Sequence, residues 1–245
     1  MTVLAGSLGP LGMAAGKKAL WTPAAFAPAV WLAADVISGK SNGDSIPTWA
    51  DSSGNGLTGA GSGTTYASDG MGSGKPGVAF TAGRFTFGPL PLTAHNSACF
   101  VAALRTTNTA PDSNFSFPGA ALVGDTSGGV YTSWGLSGGK LCETTYSNAW
   151  VNAKGGSSVA DGATHIVATT HDYAGGAIRH YVDGALDGSG SIICSGLGYL
   201  QANAIGTTYG NNGLLSNLTL GELLIFDQIP DASTLASLFA YMARW

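Results

Sequence analysis

From residue 29 onward the chain alternates short apolar runs with clusters of turn-forming residues, the spacing of strands in an all-β domain. The pattern predicts strands at AVWLA (29–33), IPTWA (46–50), GVAFT (77–81), RFTF (84–87), SACFVAALR (97–105), AALVG (120–124), VYTSWGL (130–136) and KLCETTY. Others are predicted on both sides of Gly175-Gly176 and at SIICS (191–195), ANAIG (202–206) and LTLGELLIFD (218–227). The Gly/Ser segments 52–74 and 153–163 read as loops. Strands do not alternate with helices, which disfavours a parallel α/β sheet and leaves an antiparallel sandwich. One helix is predicted, in DASTLASLFAYMARW. Asp231 is its N-cap, and Leu235, Leu238, Phe239 and Met242 fall at i, i+3, i+4 and i+7 to form an apolar stripe. Residues 1–28, punctuated by Pro10, Pro23 and Pro28, have no regular period and read as an extended N-terminal arm ahead of a single domain over 29–245.

Composition supports that reading. The chain has 38 glycines and only 10% charged residues, where an average globular chain has about 25%. Glycine tolerates the positive φ that tight hairpin turns demand, so many short strands suit this composition and a helical bundle does not. A net charge of −4, with ten Lys and Arg scattered singly, offers no basic stripe for nucleic acid. No run approaches the roughly 20 apolar residues of a membrane span, and the first residues do not have the pattern of a signal peptide. Cys99, Cys142 and Cys194 are odd in number, widely spaced and without a CxxC pair. They are expected to be small core residues rather than disulfides or zinc ligands, and no cofactor is indicated.

The stretch HIVATTHDYAGGAIRHYVDGALDG (165–188) gathers His165, His171 and His180, three of the four histidines. A turn at Gly175-Gly176 is expected to set Tyr173 opposite Ile178, Asp172 opposite Arg179 and His171 opposite His180. The Asp172–Arg179 pair would contribute about 0.2 to 1 kcal/mol. Two adjacent imidazoles are candidate metal ligands, but the hairpin supplies no carboxylate or thiol on that face. His165 would lie about 20 Å from His171 at the strand rise of about 3.3 Å per residue. The expectation is therefore a hairpin without a metal, with Asp183-Gly184 and Asp187-Gly188 as turns.

The same stretch, an H-x-V-A-x-T strand followed by an x-Y-V-D-G strand, resembles the hairpin of concanavalin A-like lectin/glucanase sandwiches of the laminin G-like type. Upstream, VWLAAD (30–35), WADSSGNGLTG (49–59) and KPGVAFTAG (75–83) resemble the first strands and the Asn/Gly loop of such domains. Downstream, residues 221–245 resemble their last strand and closing helix, and the likeness covers about 29–245. The resemblance implies two antiparallel sheets in a jelly roll, one of them concave, with ligand contacts on the concave face or the rim loops. Glucanases of this superfamily carry an E-x-D-x-x-E type strand. This chain has only Glu143 and Glu222, neither with an acidic residue within four positions, and a G-x-S-x-G elbow joining strand to helix is not expected. The chain is accordingly expected not to be an enzyme.

Sugar recognition uses aromatic faces flanked by amides and carboxylates. Tyr131, Trp134, Tyr146, Trp150, Tyr209 and Asn211 are the candidate ligand-binding residues. The loop from Asp51 to Asn55 has oxygens suited to calcium and is equally good as an Asx turn, so no metal ligand is assigned. Low charge, abundant Gly, Ser and Thr and unpaired cysteines together fit a bacteriophage virion subunit assembled in the host cytoplasm: a fibre, tail-tip or capsid-decorating protein. Its arm is expected to pack on neighbouring subunits of a homo-oligomer, and its lectin-like domain to contact cell-surface glycan. A stand-alone carbohydrate-binding module is the second reading.

Overall fold

A computed structural model describes residues 21–88, 96–112, 118–124, 132–146, 150–194, 202–207 and 215–245. The strands are β1 (Val30–Ala33), β2 (Thr48–Ala50), β3 (Thr58–Gly72), β4 (Lys75–Thr86), β5 (Ser97–Thr106), β6 (Ala120–Gly124), β7 (Thr132–Ser137) and β8 (Lys140–Tyr146). They continue with β9 (Trp150–Ser158), β10 (Thr164–Asp172), β11 (Ala177–Val182), β12 (Ala185–Ser191), β13 (Ala204–Ile205) and β14 (Leu215–Phe226), followed by helix α1 (Ala232–Met242). An antiparallel ladder runs in the order β12-β11-β10-β5-β14-β4-β13-β6-β7-β8-β9, with β1 on β14 and β3 and β2 beyond β4. It folds over on itself through β14. That strand pairs with β4 over Leu215–Leu220 and with β5 over Leu218–Phe226, with register irregularities between Leu215 and Leu218 on the β4 side and between Leu220 and Glu222 on the β5 side. The two layers meet face to face where Phe100 of β5 stacks on Trp134 of β7, ring centroids 5.2 Å apart. The result is the all-β jelly-roll sandwich with one C-terminal helix.

The continuous apolar run of β5 follows from burial on both faces. Phe100, Ala102 and Leu104 enter the core between the layers, while Cys99, Val101 and Ala103 lie under α1. The helix begins where expected: the Asp231 side chain accepts from Thr234 N at 2.7 Å, satisfying one of the first-turn donors. Leu238 and Met242 are fully buried, with Leu235 and Phe239 packed beside them. Each large side chain buried in this way stabilises the fold by about 1.5–3 kcal/mol.

Several expectations change. Residues 21–28 are not an extended arm: Pro23–Phe26 form a 3₁₀ turn, Phe26 packs on Phe226 at 5.2 Å and Trp21 sits edge-on to Tyr241 at 6.3 Å. This part of the arm folds back on its own sandwich, and residues 1–20 lie outside the described residues. Most of the segment 52–74 is not loop but the 15-residue strand β3, held by ladder bonds to β4. Its glycines admit aromatic rings against the backbone. A Cβ at Gly59 would stand 2.6 Å from the Phe87 ring, and one at Gly61 would stand 2.5 Å from the Phe85 ring. Likewise β9 occupies much of 153–163, and the last edge strand is β12 (185–191) rather than SIICS.

The hairpin register also moves by two residues: His171 pairs with Ile178, Thr170 with Arg179 and Thr169 with His180. The turn is longer than the glycine pair alone, closed by Gly176 N donating to Asp172 O, while Asp172 Oδ1 accepts from Ala174 N and Gly175 N. The expected Asp172–Arg179 pair is therefore not made. A shift of two preserves the parity of the strand, so His171 and His180 still share the inner face. Asp183-Gly184 is the expected turn, with φ of 50° and 84°. Asp187 instead is the extra residue of a bulge inside β12, opposite the junction of His180 and Tyr181.

Candidate functional site

The histidine cluster is interior. Trp134 Nε1 donates to Thr169 Oγ1 at 2.8 Å, and that oxygen lies 2.8 Å from His180 Nδ1. His180 Nε2 is 3.2 Å from the carbonyl of Ala153, which can only accept, so Nε2 carries the hydrogen and Nδ1 accepts from the Thr169 hydroxyl. Burial holds the pKa of this imidazole below the usual histidine range, which favours that neutral arrangement. His171 differs. Its Nδ1 lies 2.6 Å from Glu143 Oε1 and its Nε2 2.9 Å from the carbonyl of Ile192, so both nitrogens face acceptors. Burial opposes a charge there, but the carboxylate of Glu143 and the Ile192 carbonyl outweigh it, and the His171 pKa rises.

The carboxylate thus comes from β8 in the facing layer, where reading the hairpin alone cannot find it. It is already spent on His171. Among the described residues no three His, Cys, Asp or Glu side chains are arranged to hold a metal ion. The three cysteines are free and buried, and burial pushes the Cys142 and Cys194 thiols up to about 12.

Glu222 is the second buried glutamate. It accepts from Trp31 Nε1 and Trp245 Nε1, each at 2.6 Å, from Tyr241 Oη at 3.1 Å and from Arg244 Nη2 at 2.8 Å. Arg244 also pairs with Asp35 and lies over the Tyr241 and Trp245 rings, 4.7 Å from each centroid. This assembly fastens α1 to β1 and β14. Both glutamates are therefore buried and committed to structural partners, Glu143 through Oε1 alone and Glu222 through both oxygens. Gly39–Gly43 and Gly135–Gly139 do have G-x-S-x-G spacing, but neither joins a strand to a helix. The second is the β7–β8 hairpin, with Gly138 and Gly139 at positive φ.

The Asp51–Asn55 loop is an Asx turn. Asp51 Oδ1 accepts from Trp31 N and Ser53 N, its Oδ2 from the Ser53 hydroxyl, and Asn55 Nδ2 donates to the Ala29 carbonyl at 3.0 Å. Both carboxylate oxygens are occupied by protein donors.

Of the expected ligand-binding residues, Trp134 is corrected to a core residue: it is fully buried, stacked on Phe100 and bonded to Thr169, so it has no free face for a sugar. Tyr131, Tyr209 and Asn211 lie outside the described residues. Positions Tyr146 and Trp150 are direct partners across the β8–β9 ladder, followed by the pairs Thr144–Asn152 and Cys142–Lys154. Asn152 Nδ2 and Lys154 Nζ converge on Asp112 Oδ2, at 3.2 and 2.5 Å. Asp112 and Lys154 are partly exposed, and a cleft of about 450 Å³ lined by Val151, Asn152 and Ile193 opens beside them. The sequence offers the two aromatic positions as candidates but not the polar trio, because Asp112 lies 40 residues before Asn152 and only the fold brings them together.

Neither a family model nor a curated protein sequence matches the chain. Its fold, however, is similar to that of solved binding domains, among them those of botulinum neurotoxins. The botulinum neurotoxin serotype C1 binding domain superposes with a TM-score of 0.62 at 11% identity, over 88% of this chain and 52% of that one. The binding domain of botulinum neurotoxin DC in complex with SialylT gives 0.61 at 13%, over 88% and 51%. The binding domain of Paraclostridial Mosquitocidal Protein 1 gives 0.58 at 15%, over 82% and 52%. The chain spans about half the length of each of these. Among its described residues no helix is long and apolar enough to cross a membrane.

Proposed function

We propose that this chain is a non-enzymatic adhesion domain whose sandwich binds cell-surface glycan on the outer face of β8 and β9. The observation that carries the reading is the convergence of an amide (Asn152), an ammonium (Lys154) and a carboxylate (Asp112) beside the paired positions Tyr146 and Trp150. A pyranose has an apolar face and a hydroxyl rim, and a recognition surface for it needs apolar area together with a few placed polar groups. The engagement of Glu143 and Glu222 in buried networks supports the absence of hydrolysis, since neither carboxylate is available to flank a glycosidic bond. The toxin binding domains of similar fold include one in complex with SialylT, which accords with glycan recognition.

The finer reading is a subunit of a phage particle, in which the domain serves as fibre, tail-tip or capsid decoration. Three buried free thiols accord with assembly in a reducing cytoplasm. The packing of Trp21 and Phe26 on their own sandwich weakens the case for an intersubunit role of residues 21–28.

A glycan array probed with the intact chain and with Trp150→Ala and Asn152→Ala tests the central reading. Binding to a defined set of glycans, lost in both variants, is the expected result. An array blank at millimolar sugar, or binding untouched by both substitutions, overturns it.

A further inference from the structure

On the opposite side of the sandwich a cleft of about 390 Å³ opens between the outer face of the β10–β11 hairpin and the start of α1. This is within the size range of small-ligand sites, about 300–1,000 Å³. Tyr181 and Phe239 form its aromatic wall, with ring centroids 6.1 Å apart, and Leu235 and Pro230 extend the apolar lining. Thr170 and Arg179, directly opposite each other in the ladder, supply the polar side.

The two-residue register shift decides the state of Arg179. It separates the guanidinium from Asp172, whose carboxylate is taken up by the turn nitrogens of Ala174 and Gly175. The neighbouring acid Asp231 is committed to Thr234 N and the Ser233 hydroxyl as the helix cap. Among the described residues Arg179 makes no ion pair. An exposed cation beside two aromatic rings is thus left at the mouth of a concave, half-apolar site.

We propose that this cleft binds a carboxylated sugar, with Arg179 holding the carboxylate and the aromatic wall covering the apolar face of the ring. A planar guanidinium matches a carboxylate through two parallel hydrogen bonds, the strongest polar contact the lining can make. A wholly apolar ligand would cover the guanidinium without compensating its lost hydration. A neutral sugar would use the rings and leave the cation idle. The site is separate from the Asn152–Lys154 surface and does not depend on it.

Titration of the intact chain with sodium glucuronate, followed by NMR, tests the proposal, with glucose and sodium acetate as parallel probes. Saturable shifts at Arg179, Tyr181 and Phe239 are expected with glucuronate and with neither control at equal concentration. Arg179→Gln should weaken glucuronate binding roughly tenfold or more, the loss of a charged hydrogen-bonded contact, with an unchanged melting temperature. Trp150→Ala should leave glucuronate binding intact, which separates this site from the glycan face. Absence of shifts, equal shifts with acetate, or an Arg179→Gln variant that binds like the parent protein overturns the proposal.

Discussion

Glu143 and His171 form a fully buried pair between the two layers, with Oε1 and Nδ1 2.6 Å apart. Removing one member strands the other in the core, and breaking such a pair costs about 3–5 kcal/mol, whereas replacing both by apolar groups is close to neutral. Glu143→Leu alone is expected to be strongly destabilised, and Glu143→Leu/His171→Leu to recover most of the loss. Urea unfolding of the parent, single and double variants gives the comparison. A double variant no more stable than the single one would show that the pair is not the energetic unit.

His165 links two turns at the surface: Nδ1 lies 2.8 Å from Asp183 Oδ2 and Nε2 3.2 Å from Asp161 Oδ1. Partial burial opposes its charge, but the two carboxylates overcome that and raise its pKa. Folding therefore favours the protonated form. The contribution is full below the unfolded value, about 6.5, and is lost as pH rises through the raised folded value. His171 acts in the same direction and His180, with its lowered pKa, in the opposite one. The His165 share is isolated by difference: His165→Gln should destabilise more at pH 5.5 than at pH 8.5, as read from denaturation midpoints. An equal effect at both values would remove the clamp from the account.

How far these features could be read in advance depended on distance along the chain. β5 and α1 were plain because their signals are local: an unbroken apolar run, and a stripe behind the Asp231 cap. β3 was hidden, since a strand of Gly, Ser and Thr has no apolar period and exists through its pairing with β4. Asp187-Gly188 has turn chemistry, yet Asp187 spends its carboxylate on Gly156 N and Ser157 N of β9, and so bridges the edges of the two layers. The hairpin register departs from the expected one for a local reason, the Asp172 cap that lengthens the turn. The partner of His171 differs for a distant one, because Glu143 enters from the other layer.

Glu222 fastens the C-terminal helix through four donors from Trp31, Tyr241, Arg244 and Trp245. Burial raises its pKa, and the hydrogen bonds and Arg244 only partly offset that. The four donors oppose that rise, each through a hydrogen bond to the carboxyl oxygens. Trp245→Phe keeps an aromatic ring at the site and deletes one such bond, for an expected loss of about 1.5–3 kcal/mol from that bond. Glu222→Ala leaves all four donors without their acceptor and should cost more. Chemical denaturation orders the two, and a Glu222→Ala protein as stable as Trp245→Phe would contradict a shared anchor.

Gly61 shows why the strand β3 needs residues that look like loop. Its φ is ordinary, so what forbids a side chain is space and not backbone strain. A Cβ there would stand 2.5 Å from Cε1 of Phe85 and closer still to the carbonyl oxygen of Ile46. Phe85 cannot swing aside cheaply, because it is fully buried and packs edge-on against Trp49 at 5.5 Å and Phe80 at 6.0 Å. The Ile46 carbonyl is also held, accepting from the Thr64 hydroxyl at 3.0 Å. Overpacking of this kind costs about 1–3 kcal/mol. Gly61→Ala should fall in that range. Gly56→Ala serves as a contrasting control: that loop residue has open space around its Cβ position but a φ of 71°, so its cost comes from backbone conformation alone. Adding Phe85→Leu to Gly61→Ala should then reduce the penalty of the alanine, since the smaller side chain clears the ring contact. An alanine penalty that is the same in the parent protein and in the Phe85→Leu background would locate the obstacle at the Ile46 carbonyl instead of the aromatic ring.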